Sequence, residues 1–289
     1  MSPQAALDER PRATTRSPAP APPRTEGVLG RWVERSWRPL AFAVVAFVLW
    51  WVTTASGLLP AYLVPSPGAT WSAFADNLGY FGSNTWVTVI ETLIGFAIAV
   101  LVGEAVAIAM VYSPSLERTI YPVVLFAQVI PKIAIAPLFV VWLGFGVGPK
   151  IIVAVLMAFF PIVISGLAGL RDVDPEVLEL TSTMGAGRAK VFRKIQFPAS
   201  LPQLFSGLKV AATLAVTGAV VGEFVGANSG LGYVILQANG NVDTASLFVA
   251  LIIMSLVGVL MFAAIQLIER LVIPWHASQR GVGSNTVQL

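Results

Sequence analysis

The chain has 289 residues, of which 56% are hydrophobic and only 11% charged, and its mean hydropathy is +0.79. Water-soluble domains carry about 25% charged residues, so the polar surface that a globule needs in water is missing and lipid is the natural solvent. There is no cysteine and a single histidine, His276, which excludes disulfides and thiolate chemistry and leaves neither a histidine metal cluster nor a histidine general base within an apolar segment. The net charge of +3 takes its meaning from where the bases stand along the chain, and it implies no nucleic-acid partner.

Residues 1–38 hold seven arginines and many prolines without apolar periodicity, the composition of a disordered basic arm. An α-helical membrane span needs about 20 mostly apolar residues. By that measure spans are expected near 39–59, 85–112, 120–144, 150–170, 207–225 and 245–272, giving an all-α integral membrane fold. The six-span membrane body then covers 39–276, and 277–289 is a flexible tail. In PSPGATWSAFADNL, between the first two spans, Ser66 can cap a helix and Pro67 suits its first position, which predicts a short interfacial helix. The third span contains Pro122, Pro131 and Pro137 and should be kinked or broken.

After the fourth span comes RDVDPEVLELTSTMGAGRAKVFRKIQFPASLPQLFS, residues 171–206. Asp174 is a good N-cap, Pro175 fits the first helical position, and Gly185 is placed to end the helix in a left-handed cap. Val177, Leu180, Thr181 and Met184 recur at helical spacing. A second, basic helix is expected from Ala186 to about Gln196, stopped by Pro198. Two roles fit such a stretch: an amphipathic connector resting on a leaflet, or a helix that docks on a soluble partner.

Lysine and arginine set the orientation. The arm, Arg118, the cluster Arg171, Arg188, Lys190, Arg193 and Lys194, and then Arg270 and Arg280 all fall on one side. The opposite loops, 60–84, 145–149 and 226–244, hold none, with Lys150 at an edge. Both termini are therefore expected in the cytoplasm, and the 171–206 loop with them.

Glu91, Glu104 and Lys132 lie within expected spans, where a charge normally faces a partner or an aqueous cavity. With a rise of about 1.5 Å per residue and a core of about 30 Å, Glu91 and Lys132 come to a similar depth, so an ion pair between them is expected. Such a pair either pins the second span to the third or lines a passage for solute together with Gln128 and Pro131. Glu223 stands among Gly222, Gly226 and Gly230, whose four-residue spacing allows close helix approach; it too could line the mouth of a passage or face water.

The 171–206 loop resembles the EAA-x3-G-x9-I-x-LP loop of ABC importer permeases. Glu179, Gly185, Ile195 and Pro198 stand at the matching offsets, whereas Leu180 and Thr181 replace the two alanines and Phe197 the leucine. GEFVGANSGLGYVI (222–235) and ERLVIPWH (269–276) are similar to the nitrate/sulfonate/taurine group of these importers, and Glu91, QVIPK (128–132) and GEFVGA look closest to members for vitamin or pyrimidine precursors. The resemblance implies a multi-pass cell-membrane permease whose coupling helix, with Val177 and Met184 on it, docks on a cytoplasmic ATPase. It further implies a second copy of the chain, a solute-binding protein outside, and ATP and magnesium bound by the ATPase rather than here, with no cofactor or enzymatic activity in this chain. No G-x4-G-K-[ST] phosphate loop exists in the sequence. The alternative class is an ion-gradient-driven transporter or channel, for which internal repeats and paired broken helices would be the mark.

Overall fold

A computed structural model describes residues 28–274, with side chains from residue 37 onward. All described regular structure is helical. Helix α1 (Val28–Ala55) is followed by the short α2 (Pro67–Asp76), the long α3 (Leu78–Tyr112), α4 (Pro114–Val129), α5 (Lys132–Leu143) and α6 (Val147–Arg171). Then come α7 (Pro175–Thr183), α8 (Arg188–Val191), α9 (Phe197–Gly226), α10 (Leu231–Gly240) and α11 (Thr244–Val272). The chain up to Leu49 is one unit, and from Trp50 onward it forms a second, larger one. The expected tail lies outside the described residues. The arm lies only partly outside them, because α1 begins at Val28, well before the expected boundary at residue 39. No proline interrupts residues 25–38, so a helix nucleated by the span extends outward at little cost.

Among the described residues, five helices are long and apolar enough to cross a membrane, and α4 with α5 makes a sixth candidate as a pair bent by 97°. Packing shows that the bent pair must return the chain across the bundle. Helices α3 and α6 run parallel in constant register: a Cβ on Gly95 would lie 2.6 Å from the Ala154 Cβ, and one on Gly103 would lie 2.9 Å from the Ile162 Cγ2. Both therefore start on one side and end on the other, and only α4–α5 joins the end of the first to the start of the second. Val124 of α4 packs with Ala107 and Met110, near the end of α3, whereas Ala136 of α5 packs with Val153, near the start of α6. The break falls at Ile130–Pro131, where both residues are extended, as a missing N–H and a constrained preceding residue require.

Helix α9 runs antiparallel to α6 and is the most buried of the spans. Its core residues Leu204, Leu208, Ala211, Ala212 and Ala215 pack with Ala99, Ala158 and Ile162 of the parallel pair. Small residues carry these contacts, which is how helices gain close van der Waals packing where lipid offers no hydrophobic drive. Helix α11 closes the other flank, joined to α9 by the Lys209–Glu269 ion pair at 2.8 Å.

The short α2 begins as expected, with the Ser66 hydroxyl accepting from the Ala69 N–H at 3.1 Å. The expected stop at Pro198 does not occur. Helix α8 passes through a π-helical turn, Phe192–Gln196, straight into α9, which carries both Pro198 and Pro202. Pro198 sits in the first turn of α9 beside that wider turn, where the hydrogen-bond ladder is already shifted and its missing N–H is tolerated. The fifth span thus begins about ten residues before the expected 207.

Candidate functional site: a base-rich loop, a buried polar knot and a broken span

On the side where the lysines and arginines cluster, α7 stands clear of the bundle with no buried residue. Its N-terminus is closed by the Asp174 carboxylate, which accepts from the Glu176 N–H at 2.9 Å. Its C-terminus is closed by a paired motif: the Gly185 N–H donates to the Ser182 carbonyl at 3.0 Å and the Ala186 N–H to the Thr181 carbonyl at 3.1 Å. This Schellman geometry needs a left-handed residue, and Gly185 has φ +70 with open space around its Cα. With both ends tied down, the exposed side presents Val177, Leu180 and Met184 as an apolar stripe beside the exposed Glu179. The other side covers a cleft of about 420 Å³ lined by Val111 and Tyr112 of α3, Leu178, Thr181 and Gln196. Ile195 and Pro198 are half-buried at the junction with α9.

On the opposite, base-free side the expected Glu91–Lys132 pair is absent; Glu91 is ion-paired with Lys150 instead, and both are buried. Lys150 lies in the first turn of α6, and Gly222 of α9 lets it through, since a Cβ there would come within 2.6 Å of the Lys150 Cα. The depth reckoning fails at the bend, because a span turned through 97° does not climb 1.5 Å per residue along one axis. Lys132 is found beside Phe160, 4.7 Å from its ring centroid, roughly 15 Å further along α6 than Lys150. Its ammonium donates to the Gln128 carbonyl at 2.8 Å, across the break at Pro131. Gln128 and Pro131 are exposed there.

Glu223 faces neither water nor an open mouth. It is fully buried and fastens the N-terminus of α10. One carboxylate oxygen accepts from the Thr88 hydroxyl at 2.7 Å, the other from the Gly232 N–H at 2.5 Å. The Thr88 oxygen accepts in turn from the Leu231 N–H at 2.8 Å, and the Asn84 side-chain oxygen accepts from the Gly230 N–H at 2.8 Å. Three N–H groups that a helix start leaves without partners are thereby satisfied by side chains from α3 and α9, and a carboxylate sits at the positive helix end. Gly230 has φ +110, and a Cβ there would fall 2.1 Å from the Glu223 Oε1. Glu104, lower on α3, lies against Gly166 with both carboxylate oxygens buried and, among the described residues, without a hydrogen-bond partner.

Sequence reasoning missed Asn84, Thr88 and Lys150 as members of this knot, and also a groove of about 610 Å³ between α9 and α11. Thr213, Thr217, Phe224, Ser255 and Phe262 are among its lining residues, and none of that lining is ionisable. The hydroxyls of Thr213 and Thr217, one turn apart in an apolar span, were the available sign.

Residues 95–274, which include the broken span, the base-rich loop and Glu223, match the family of binding-protein-dependent transport system inner membrane components. A formylaminopyrimidine transport permease, ThiX, of Halalkalibacterium halodurans is 36% identical over 242 residues, 83% of this chain and 96% of its own. A riboflavin transport system permease, RibX, of Chloroflexus aurantiacus is 34% identical over 81% of this chain and 88% of its own. The taurine permease TauC of Escherichia coli is 26% identical over 80% and 87%. In fold, the chain is similar to an inward-facing structure of the MetNI methionine ABC transporter, with a TM-score of 0.59 at 22% identity over 65% of this chain and 94% of that one. With its base-rich loop, its parallel α3–α6 pair joined by a broken span and these relatives, the chain belongs to the binding-protein-dependent transport system inner membrane components, and it is the multi-pass permease subunit of an ABC importer.

Proposed function

We propose that two copies of this chain form a passage for a small polar solute, driven by ATP hydrolysed on separate cytoplasmic ATPase subunits and supplied by a solute-binding protein outside. The observation that carries this reading is the base-rich loop: Gly185 closes α7 so that Val177, Glu179, Leu180 and Met184 stand exposed and fixed. An apolar stripe tied at both ends transmits a push from a partner into α9, with which the loop is continuous through α8 and the π turn. Closure of the ATPase pair would draw the two α7 helices together and open the outward side, and hydrolysis would reverse it. ATP and magnesium belong to the ATPase, and this chain performs no chemistry of its own.

The passage is assigned to the α9–α11 groove and the break at Gln128, Pro131 and Lys132, closed by the second copy. Glu91 and Glu223 are assigned to bracing the bundle, since each is sealed within one chain by Lys150 or by α10. A vitamin or pyrimidine precursor is the favoured solute. The relatives named for formylaminopyrimidine and riboflavin share more identity with this chain than the taurine permease does, and an uncharged groove with aromatic rings suits a planar heterocycle.

Coupling is tested at Gly185. Valine must adopt φ +70 against its branched side chain at a cost of about 1–3 kcal/mol, whereas asparagine tolerates that region. Gly185→Val and Glu179→Arg are expected to insert normally but to lose binding-protein-stimulated ATP hydrolysis and uptake, while Gly185→Asn retains most of both. Normal stimulated hydrolysis in Gly185→Val would remove the coupling role. Sidedness is tested in a chain without native cysteine: a cysteine at Asn239 should react with an impermeant maleimide added to cells, and one at Thr183 should not.

A further inference from the structure

The base-free side carries a third cavity, next to the knot: the Asn84 amide donates to the carbonyl of Tyr80 at 2.8 Å, and Tyr80 lines the cavity. A pocket of about 300 Å³ opens between the α2–α3 junction, α10 and the start of α11, lined by Asn77, Tyr80, Gln237, Asn241, Asp243 and Ser246 over an apolar floor. Its walls are ordered by their own bonds. The Tyr80 hydroxyl donates to the Gln237 side-chain oxygen at 2.6 Å, and Asp243 accepts from the Ser246 N–H at 3.1 Å as the N-cap of α11. The turn before Asp243 is held by bonds from the Val242 N–H to the Asn239 carbonyl and from the Asp243 N–H to the Ala238 carbonyl, at 3.2 and 2.8 Å.

Charge decides what this pocket can take. The loops and helix ends on this side, 56–84, 144–149 and 227–244, contain no lysine or arginine. They contain two carboxylates, Asp76 and Asp243, both exposed and, among the described residues, neither in an ion pair. Asp243 lines the pocket and Asp76 directly precedes Asn77, which also lines it. Lys150, the nearest base in sequence, is buried below and neutralised by Glu91. The potential over this face is therefore negative without local compensation, and the acceptors around the pocket are carboxylate and amide oxygens. The one charged group in the lining is the Asp243 carboxylate, so an anchor that carries donors and positive charge is the one this face favours.

We infer that this pocket receives a lysine or arginine side chain presented by the solute-binding protein, and that the docking face of that protein is basic. The inference rests on the proposed orientation and on the proposed partner. A guanidinium or ammonium fits because it brings only donors, and a surface charge pair of this kind acts chiefly on the rate of encounter and its salt dependence.

The test uses the complete transporter in nanodiscs of neutral phosphatidylcholine, with its cognate solute-binding protein as the probe. ATPase stimulation is titrated at about 0.01 M and about 0.15 M NaCl, between which the screening length falls from about 30 to about 8 Å. Wild-type docking should weaken several-fold as salt rises. Asp76→Asn/Asp243→Asn keeps the α11 cap, because asparagine caps as well as aspartate. It should raise the half-saturating concentration about tenfold at low salt, change it little at high salt, and so flatten the salt dependence. Wild-type docking that is indifferent to salt, or that tightens with it, overturns the inference even if the double variant fails to fold. A double variant with wild-type half-saturation at both salts overturns it equally. A wild-type transporter that no concentration of the binding protein stimulates removes the importer assembly itself, and the inference falls with it.

Discussion

Gly230→Ala is expected to remove the protein from the folded membrane fraction. Two effects act together at that position. The backbone is held at φ +110, a region that residues with a Cβ rarely enter, and the added carbon would lie 2.1 Å from Oε1 and 2.2 Å from the carboxyl carbon of Glu223. Glu223 cannot step aside without releasing the Thr88 hydroxyl and the Gly232 N–H. Loss of those bonds leaves a buried carboxylate and the Gly232 N–H without partners, at about 1–3 kcal/mol for the neutral group and more for the charge, while the Thr88 hydroxyl can fall back on the Asn84 carbonyl at 3.2 Å. Folded yield in mild detergent, measured by monodisperse gel-filtration recovery, should fall by tenfold or more. Gly68→Ala is the control, since its new Cβ would meet only the Ser66 Oγ at 3.9 Å. Wild-type yield for Gly230→Ala would mean that α10 is not anchored as described.

Breaking the buried ion pair should be nearly as damaging. Lys150→Met strands the sealed Glu91 carboxyl group, one of whose oxygens already lacks a hydrogen-bond partner among the described residues. Stranding one member of a buried pair costs about 3–5 kcal/mol. Glu91→Gln/Lys150→Met should then be milder than the sum of the single changes, by an interaction energy within the range of about 0.5–3 kcal/mol found for contacting residues. Glu91→Gln with Lys132→Met should instead be additive within about 0.3–0.5 kcal/mol, because Lys132 sits beside Phe160 and Gln128, far along the bundle. Thermal unfolding in detergent, followed with a thiol-free dye, reads both cycles. Additivity for the 91/150 pair and coupling for the 91/132 pair would reverse the assignment made from the structure.

The two cycles also separate bracing from transport. If Glu91→Gln/Lys150→Met recovers both folding and uptake, the pair serves packing alone. Recovery of folding without uptake would place the pair on the moving parts of the passage.

What the sequence determined by itself were the properties that depend on composition and short-range periodicity. Six apolar stretches, the Ser66 and Asp174 caps, the left-handed closure at Gly185 and a proline break somewhere in the third span are all decided within one or two turns of chain, where local sterics and backbone hydrogen bonding dominate; which of that span's three prolines makes the break was not. The spacing of Glu179, Gly185, Ile195 and Pro198 was likewise legible as a pattern. Tertiary structure alone decided which charges meet. Lys150 looked like a loop-edge residue because sequence shows neither that α6 starts at Val147 nor that Gly222 clears a path for its stem. Lys132 looked level with Glu91 because depth was reckoned along a straight span, and the bend at Ile130–Pro131 cancels that reckoning. Asn84, Thr88 and Glu223 meet α10 only after α3 and α9 have packed, from positions more than a hundred residues apart for Thr88 and Glu223. In lipid an unpaired polar group is costly, and when its partner lies on another helix that partner is chosen by the register of packed helices, which no single segment encodes.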